Sequence, residues 1–243
     1  EIAQCLVGSE MCIRDSPRIG AIIETPGFYP NLTGTENLEI FAKLRGTPRP
    51  NAVKNALEVV GLPYRDKKLF SKYSLGMKQR LGLALALLPS PEFLILDEPT
   101  SGLDPGERVR FRNLLSEFAH DRIVVISTHI VPDVEYIAMK NAIMKDGRII
   151  ETGTTQELVT RMEGKVFSEK IPAGMLMEYE KRLRIVNLKN EPDGEITIRY
   201  LGDKTESGVW QEPRLEDLYL WLFPQGTDKE GEETDRTEGG KKR

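Results

Sequence analysis

The stretch FLILDEPTSGLD at 93–104 constrains the fold of this chain more than any other segment. Its apolar first part is bounded by turn residues, a pattern that predicts a strand buried on both faces of a parallel sheet. Asp97 and Glu98 then follow at the carboxyl end of the strand, where open α/β sheets bind their ligands. The first acid can hold Mg²⁺ and the second can orient or deprotonate a water, but two acids also commonly open an ordinary loop. The choice between these interpretations depends on the neighbouring sequence.

Composition is that of an ordinary soluble globular protein. The chain has 243 residues, enough to bury a sizeable core, with 39% hydrophobic and 30% charged residues. Its 34 basic residues are outnumbered by 38 acidic ones, so a nucleic-acid partner is not indicated. No apolar run approaches the roughly 18 to 20 residues of a membrane span. Cys5 and Cys12 fit no metal or disulfide framework, which favours a reducing cytoplasm.

The first two thirds of the sequence predict an α/β fold. Short apolar runs at 19–23 and 122–127 are typical of further buried strands. Between them, about 31–90 is mainly helical in pattern, and Thr33 and Glu36 have the spacing of a capping box. Leucine and alanine predict another helix over 81–88. The core of the fold is therefore a parallel sheet with a helical subdomain inserted between two of its strands.

The last third is different in character. A hairpin is expected to turn at Asp146 and Gly147, and Thr154 and Glu157 again have capping-box spacing. Beyond Gly164 the remaining predicted elements form a small α+β appendage, with strands at 185–188 and 195–201 and a helix at 215–222. From Gly226 onward the chain is polar and is expected to be disordered.

Two further segments have the chemistry of an anion site. In YSLGMKQR at 73–80, Ser74 and Gly76 precede the predicted helix 81–88, where free backbone amides can bind an anion, although a plain Ser cap is the simpler interpretation. Thr128 and His129 end the strand at 122–127, again at a carboxyl edge. A lone histidine is more often structural than catalytic. Its place beside the two acids favours a catalytic role.

These motifs, taken in order, resemble the ATP-binding subunit of ATP-binding cassette (ABC) transporters over about 18–162. They are a polar residue at Glu24 after a strand, the signature-like YSLGMKQR, FLILDEP, SGLD at 101–104 and STH ending at His129. Each is weak alone, but chance poorly explains the order and separation of all five. The resemblance implies a P-loop NTPase-like fold that binds ATP and Mg²⁺ and works as a head-to-tail dimer.

The resemblance also implies a role for each matching residue. Asp97 corresponds to the metal-binding acid and Glu98 to the general base, while His129 corresponds to the switch histidine that faces the γ-phosphate. Ser74, Leu75, Gly76 and Met77 form the signature segment, which contacts ATP held mainly by the other subunit. Asp104 communicates across the dimer, and Glu24 reaches toward metal, water and the transporter subunit. These roles suit phosphoryl transfer, which needs a positioned water and neutralised charge.

Departures from the common pattern point to one branch of the family. Leu75 and Met77 stand where Gly and Gln are common, and Glu24 stands where Gln is usual. These features, with IIETPGFYPNLTGTENL at 22–38, resemble the branch that includes bacitracin-resistance and lantibiotic-immunity exporters. EPRLEDLYL at 212–220 resembles the carboxyl-terminal extension of such subunits. The resemblance therefore implies export of a peptide antibiotic or another drug.

A phosphate-binding GxxxxGK[ST] loop does not occur in the sequence. We therefore expect an amino-terminal truncation, with 1–16 foreign to the natural protein, because CLVGSEMCIRDS resembles a junction or adapter sequence. The expected domains are a partial ATPase domain at 17–163, the appendage at 164–225 and a disordered tail at 226–243. Whether this chain binds or hydrolyses ATP is left open by the missing loop.

The leading hypothesis is an ATPase subunit that lies on the inner face of the cell membrane, docked on membrane-spanning permease subunits and paired with a second ATPase subunit, identical or not. A non-catalytic interaction module that pairs with an intact subunit is the alternative. The presence of both Glu98 and His129 argues against it. A chromosome or repair ATPase would carry long heptad arms or basic surfaces, and the sequence has neither.

Overall fold

The structure is a computed structural model that describes residues 18–23, 27–46 and 50–224. The chain divides into two compact units, Glu1–Ile137 and Ala138–Arg243. Glu24, the 1–16 segment and the tail from 226 lie outside the described residues. The domain boundaries expected from the sequence remain predictions.

The first unit is built on a three-stranded parallel sheet, as predicted. Its strands are β1 (Ile19–Ile22), β2 (Phe93–Asp97) and β3 (Ile123–Ser127), in the order β1-β2-β3. Asp97 is the register partner of Ser127, so the segments that follow β2 and β3 leave the sheet side by side. The carboxyl ends of these two strands therefore bring the predicted site residues together.

The insert between β1 and β2 is helical, as predicted. It contains α1 (Gly34–Leu44), α2 (Ala52–Val59), a 3₁₀ turn (Phe70–Lys72) and α3 (Leu75–Leu87). The capping box is confirmed, because the Glu36 amide donates to Thr33 Oγ1 at 3.2 Å and the Thr33 amide donates to Glu36 Oε2 at 2.8 Å. The apolar side of the insert is core, as expected.

The start of α3 corrects the predicted helix at 81–88. The helix begins at Leu75, six residues earlier, because the Ser74 hydroxyl caps it by accepting a hydrogen bond from the Met77 amide at 3.2 Å. Leu75, Gly76 and Met77 therefore lie in the first helical turn and not in a loop. From Arg80 to Leu87 every residue of α3 is buried, because this part of the helix lies inside the core cluster of the unit, whereas Leu75 at its start is exposed.

Gly20 fixes how closely β1 approaches α3. A Cβ atom at this position would lie 2.5 Å from the Ala86 carbonyl oxygen and 3.0 Å from side-chain atoms of Leu94 and Pro91. A backbone oxygen cannot yield as a flexible side chain can. The sheet therefore packs on α3 through a position that only glycine satisfies.

Two helices complete the first unit. They are α4 (Pro105–Phe118), which connects β2 to β3, and α5 (Val131–Ile137), which follows β3. Asp104 caps α4, and Pro105 occupies its first turn, where the amide hydrogen that proline lacks would have no partner.

The second unit begins with the predicted hairpin, β4 (Asn141–Lys145) and β5 (Arg148–Gly153). Asp146 and Gly147 both have positive φ, at 49° and 75°, as the tight turn requires. The helix α6 (Thr155–Thr160) follows, and its capping box at Thr154 and Glu157 is confirmed.

The rest of the second unit is an antiparallel sheet of four strands with two helices. The elements, in chain order, are β6 (Val166–Pro172), α7 (Leu176–Arg182), β7 (Arg184–Asn190), β8 (Glu195–Leu201), β9 (Val209–Trp210) and α8 (Leu215–Leu222). The order of the strands in the sheet is β7-β8-β6-β9. The predicted β7, β8 and α8 are confirmed, while β6, β9 and α7 were not predicted. Over the part of the chain that the structure describes, no helix combines the length and apolar character needed to cross a membrane.

Candidate functional site

The acids after β2 and the polar residues after β3 meet at the sheet edge. The Ser127 hydroxyl donates a short hydrogen bond to Oδ1 of Asp97, its register partner. The Glu98 amide continues the pairing by donating to the Ser127 carbonyl at 2.9 Å. The predicted proximity of Asp97, Glu98 and His129 is therefore what the topology produces.

The carboxylate of Glu98 is held by the segment after β3. Oε1 accepts a hydrogen bond from the His129 amide at 2.9 Å and lies 2.8 Å from His129 Nδ1. Oε2 accepts a longer hydrogen bond, at 3.2 Å, from the Thr128 hydroxyl. The Glu98 and His129 side chains keep 36% and 68% of their surfaces exposed. The site is therefore ordered by hydrogen bonds and still open to a substrate.

Glu98 also has an unusual backbone. Its φ is +44°, a conformation that residues with a Cβ atom adopt rarely and at a cost. The hydrogen bonds to Ser127, Thr128 and His129 hold it there. The backbone turns sharply at this residue, which lets the carboxylate lie against His129.

The described residues fit a magnesium site of the kind completed by phosphate and water. Mg²⁺ keeps several waters and commonly takes only one or two carboxylates beside substrate phosphates. Asp97 offers one carboxylate beside the Ser127 hydroxyl, which matches that need. No three His, Cys, Asp or Glu side chains cluster as an all-protein metal site within the described ranges. Glu24, the second predicted metal ligand, lies outside them.

The signature segment lies beside the loop before α4. A Cβ atom on Gly102 would lie 2.9 Å from Leu75 Cδ2, and one on Gly76 would lie 2.7 Å from Glu107 Oε2. The Ser74 hydroxyl is occupied by the Met77 amide, and Oδ1 of Asp104 accepts from the Glu107 amide at 2.9 Å. The structure thus joins the signature segment to Asp104, while Glu98 pairs with His129.

Sequence reasoning missed a buried connection behind the site. Thr100 donates to Oδ2 of Asp133 at 2.6 Å, which links the loop after Glu98 to α5. Arg108 and Arg112 of α4 face the same carboxylate at 3.8 Å and 3.7 Å. No local spacing signals such a contact, because the whole of α4 and β3 lies between Thr100 and Asp133 in the sequence.

Comparison with known proteins places these motifs in one family. The model of the ABC transporter family matches residues 7–101. The bacitracin transport ATP-binding protein BcrA of Enterococcus faecalis is 50% identical over 146 residues, covering 59% of this chain and 47% of that protein. BcrA of Bacillus licheniformis is 39% identical over 229 residues, covering 86% and 74%. The chain thus spans about half the length of the first relative and three quarters of the second.

Solved structures agree with the fold. The structure of cbiO1 from Clostridium perfringens, part of the ABC transporter complex cbiONQ, is 28% identical, covers 64% of each chain and has a TM-score of 0.56. The likeness to ATP-binding subunits and to the bacitracin branch, predicted from the sequence, is confirmed.

Proposed function

This chain belongs to the ATP-binding proteins of ABC transporters, and we propose that it is the ATP-hydrolysing subunit of an exporter for a peptide antibiotic such as bacitracin. The relatives' names supply the substrate class. The main support for ATP hydrolysis is the position of the Glu98 carboxylate. It contacts both the backbone amide and the ring of His129, and Glu98 directly follows Asp97 in the chain.

Glu98 is proposed as the general base. Its Oε1 is engaged twice by His129, so Oε2 is the oxygen available to accept a proton from the attacking water. The one hydrogen bond at Oε2, from Thr128 at 3.2 Å, is long for a hydroxyl donor and is readily exchanged for a water. The backbone amide of His129 keeps the base aimed while the exchange occurs.

Asp97 would hold Mg²⁺ together with the phosphates of ATP. The ion would neutralise charge on the transferred phosphoryl group. The Ser127 hydroxyl holds the Asp97 carboxylate in place at the strand end. The carboxylate would therefore need little reorganisation to bind the metal when Mg²⁺ and nucleotide enter the site. Glu24 is proposed as a second residue that reaches this site. His129, at a site where its ring is largely exposed, is proposed to contact the γ-phosphate.

The signature segment is proposed to serve the nucleotide of a second ATPase subunit. Ser74, Leu75, Gly76 and Met77 occupy the first turn of α3, at the positive end of its dipole, which suits an anion. Glu107 links them to Asp104, because its side chain lies against Gly76 and its amide donates to Asp104 Oδ1. Two subunits closing over ATP and opening after hydrolysis would move membrane-spanning permease subunits, with this subunit on the cytoplasmic face.

A resistance assay tests this function. The subunit would be co-expressed with the membrane proteins encoded beside its gene, and co-purification and bacitracin susceptibility would be measured. We expect a stable complex and resistance that Glu98→Gln abolishes. The exposed Glu39 lies on α1, away from this site, so Glu39→Gln is a matched control that keeps resistance. A complex that forms normally but gives resistance independent of Glu98 would support a non-catalytic interaction module.

A further inference from the structure

Two contacts join the signature segment to the 101–107 segment. The side chain of Glu107 lies directly on the Cα of Gly76, where an added Cβ would meet its Oε2 at 2.7 Å and its Cγ at 2.9 Å. Leu75 lies in the same way against Gly102. A larger residue at either glycine would displace the facing side chain. The two segments therefore lie in direct contact at both glycines, and a side chain added at either one would require the facing side chain to move.

Arg80 reinforces this junction from inside the first unit. The side chain is almost fully buried, and its Nε lies 3.3 Å from both the Gly76 carbonyl oxygen and Glu107 Oε2. Its Nη1 donates to the carbonyl oxygens of Gly61 at 3.1 Å and Val60 at 3.4 Å, at the end of α2. A buried guanidinium needs these partners, since removing one leaves charge without compensation.

Glu107 connects this junction to Asp104. Its backbone amide donates to Asp104 Oδ1 at 2.9 Å, while its side chain contacts Gly76 and Arg80. A shift of the first turn of α3 would displace the Glu107 side chain, whose own backbone amide forms the hydrogen bond that caps α4. A mechanical connection within one chain follows from these three contacts.

We propose that Arg80 and Glu107 are positioning residues that fasten the segment Ser74–Met77 to Asp104, so that displacement of either one is transmitted to the other. The functional significance of this connection rests on the proposed function. If the signature segment of one subunit contacts ATP held by a second subunit, a displacement of that segment would be transmitted to Asp104. Because coupling between two sites is reciprocal, each end must respond to a change at the other.

Hydrogen exchange of the full chain without nucleotide tests the connection. Glu107→Gln keeps the size of the side chain and removes its charge, so we expect the Met77 amide to exchange about tenfold faster, with β2 unchanged. Glu117→Gln, at an exposed position of the same helix, is the matched control and should change neither. Glu107→Asp keeps the charge and should restore part of the protection. Unchanged exchange at Met77 in Glu107→Gln would overturn the proposal.

The Gly76→Ala variant tests whether a change in the signature segment is transmitted to Glu107. The added methyl group must push Glu107 aside, so the Glu107 amide should lose its protection and exchange about tenfold faster. A purely structural defect would instead raise exchange throughout the first unit, including β2. Either that general rise or full protection of Glu107 would contradict the connection.

The catalytic consequence is measured separately, on the subunit assembled with the membrane proteins encoded beside its gene. Glu107→Gln should raise the KM for ATP several-fold, with Glu107→Asp closer to the wild type. If the wild-type assembly hydrolyses no ATP, the proposed function is wrong, and the exchange results still decide whether Arg80 and Glu107 fasten the two segments. If exchange responds and the KM of an active assembly does not, the positioning role in the reaction is overturned.

Discussion

His129 contacts Glu98 twice, through its backbone amide at 2.9 Å and through Nδ1 at 2.8 Å, and both contacts fall on Oε1. The amide contact is fixed by the path of the chain after β3. The ring contact depends on the side chain and on its proton. The backbone amide therefore orients the Glu98 carboxylate, while the proposed contact of the ring with the γ-phosphate requires only the His129 side chain to move.

Replacing the ring should separate these two roles. In His129→Ala the amide still holds Glu98, so we expect the fold to be kept and ATP turnover to fall by about 10²-fold, a typical effect of losing a positioned catalytic group. His120, the other histidine of the chain, is exposed near the end of α4, and His120→Ala should leave turnover unchanged. Steady-state phosphate release checks both variants. Equal turnover in the two would remove His129 from the mechanism.

The close packing of the sheet on α3 predicts that adding one methyl group at Gly20 lowers the stability of the first unit. Gly20→Ala places a Cβ 2.5 Å from the Ala86 carbonyl oxygen and should destabilise the first unit by about 1–3 kcal/mol, as overpacking does. Gly27→Ala is the control, since no atom lies within 4 Å of its added Cβ. Urea unfolding followed by far-ultraviolet circular dichroism measures both. A Gly20→Ala variant as stable as Gly27→Ala would show that β1 does not approach α3 as described.

Glu169 predicts a pH-dependent stability in the second unit. Burial opposes its ionisation, but the hydroxyls of Thr205, Ser207 and Tyr179 together lower the pKa of the Glu169 carboxyl below 4.5. A lowered pKa in the fold contributes stability that is present above about pH 4.5 and is lost as pH falls through the folded value. The second unit should therefore weaken at acidic pH partly through this residue.

The measurement for this prediction is urea unfolding from about pH 6 to about pH 3. Both tryptophans, Trp210 and Trp221, belong to the second unit, so their fluorescence reports on it alone. Glu169→Gln should lower the free energy of unfolding by about 1–3 kcal/mol at neutral pH, because one hydroxyl loses its acceptor, and flatten the pH dependence. The exposed Glu163→Gln should keep the wild-type slope. An unchanged slope in Glu169→Gln would contradict the assignment.

Local sequence patterns correctly predicted the helices and strands that are determined by residues close together in the chain. The run at 93–96 predicted β2, and the spacing of Thr33 and Glu36 predicted the cap of α1. The start of α3 was missed because the Leu and Ala pattern over 81–88 is stronger than the cap at Ser74. The strand β6 was missed because Glu169 occupies an apolar position and breaks the alternation, and its hydroxyl partners lie far along the chain.

The candidate site likewise contains contacts that local sequence patterns predict and contacts that they do not. Parallel strands end at one edge of a sheet, so the proximity of Glu98 and His129 followed from two local patterns. The contact of Glu107 with Gly76 and that of Thr100 with Asp133 depend on how helices pack, and no spacing encodes them. The proximity of the predicted catalytic residues was thus predictable from motifs, while the contacts made by the helices around them required the structure.

The central claim is that Glu98 is the base of an ATP-hydrolysing site. The most direct measurement is ATP turnover by the subunit co-expressed with the membrane proteins encoded beside its gene, with ATP binding measured in parallel. We predict that Glu98→Gln binds ATP as the wild type does and hydrolyses it at least about 10²-fold more slowly, while Glu39→Gln matches the wild type. Turnover by Glu98→Gln at the wild-type rate would contradict the account.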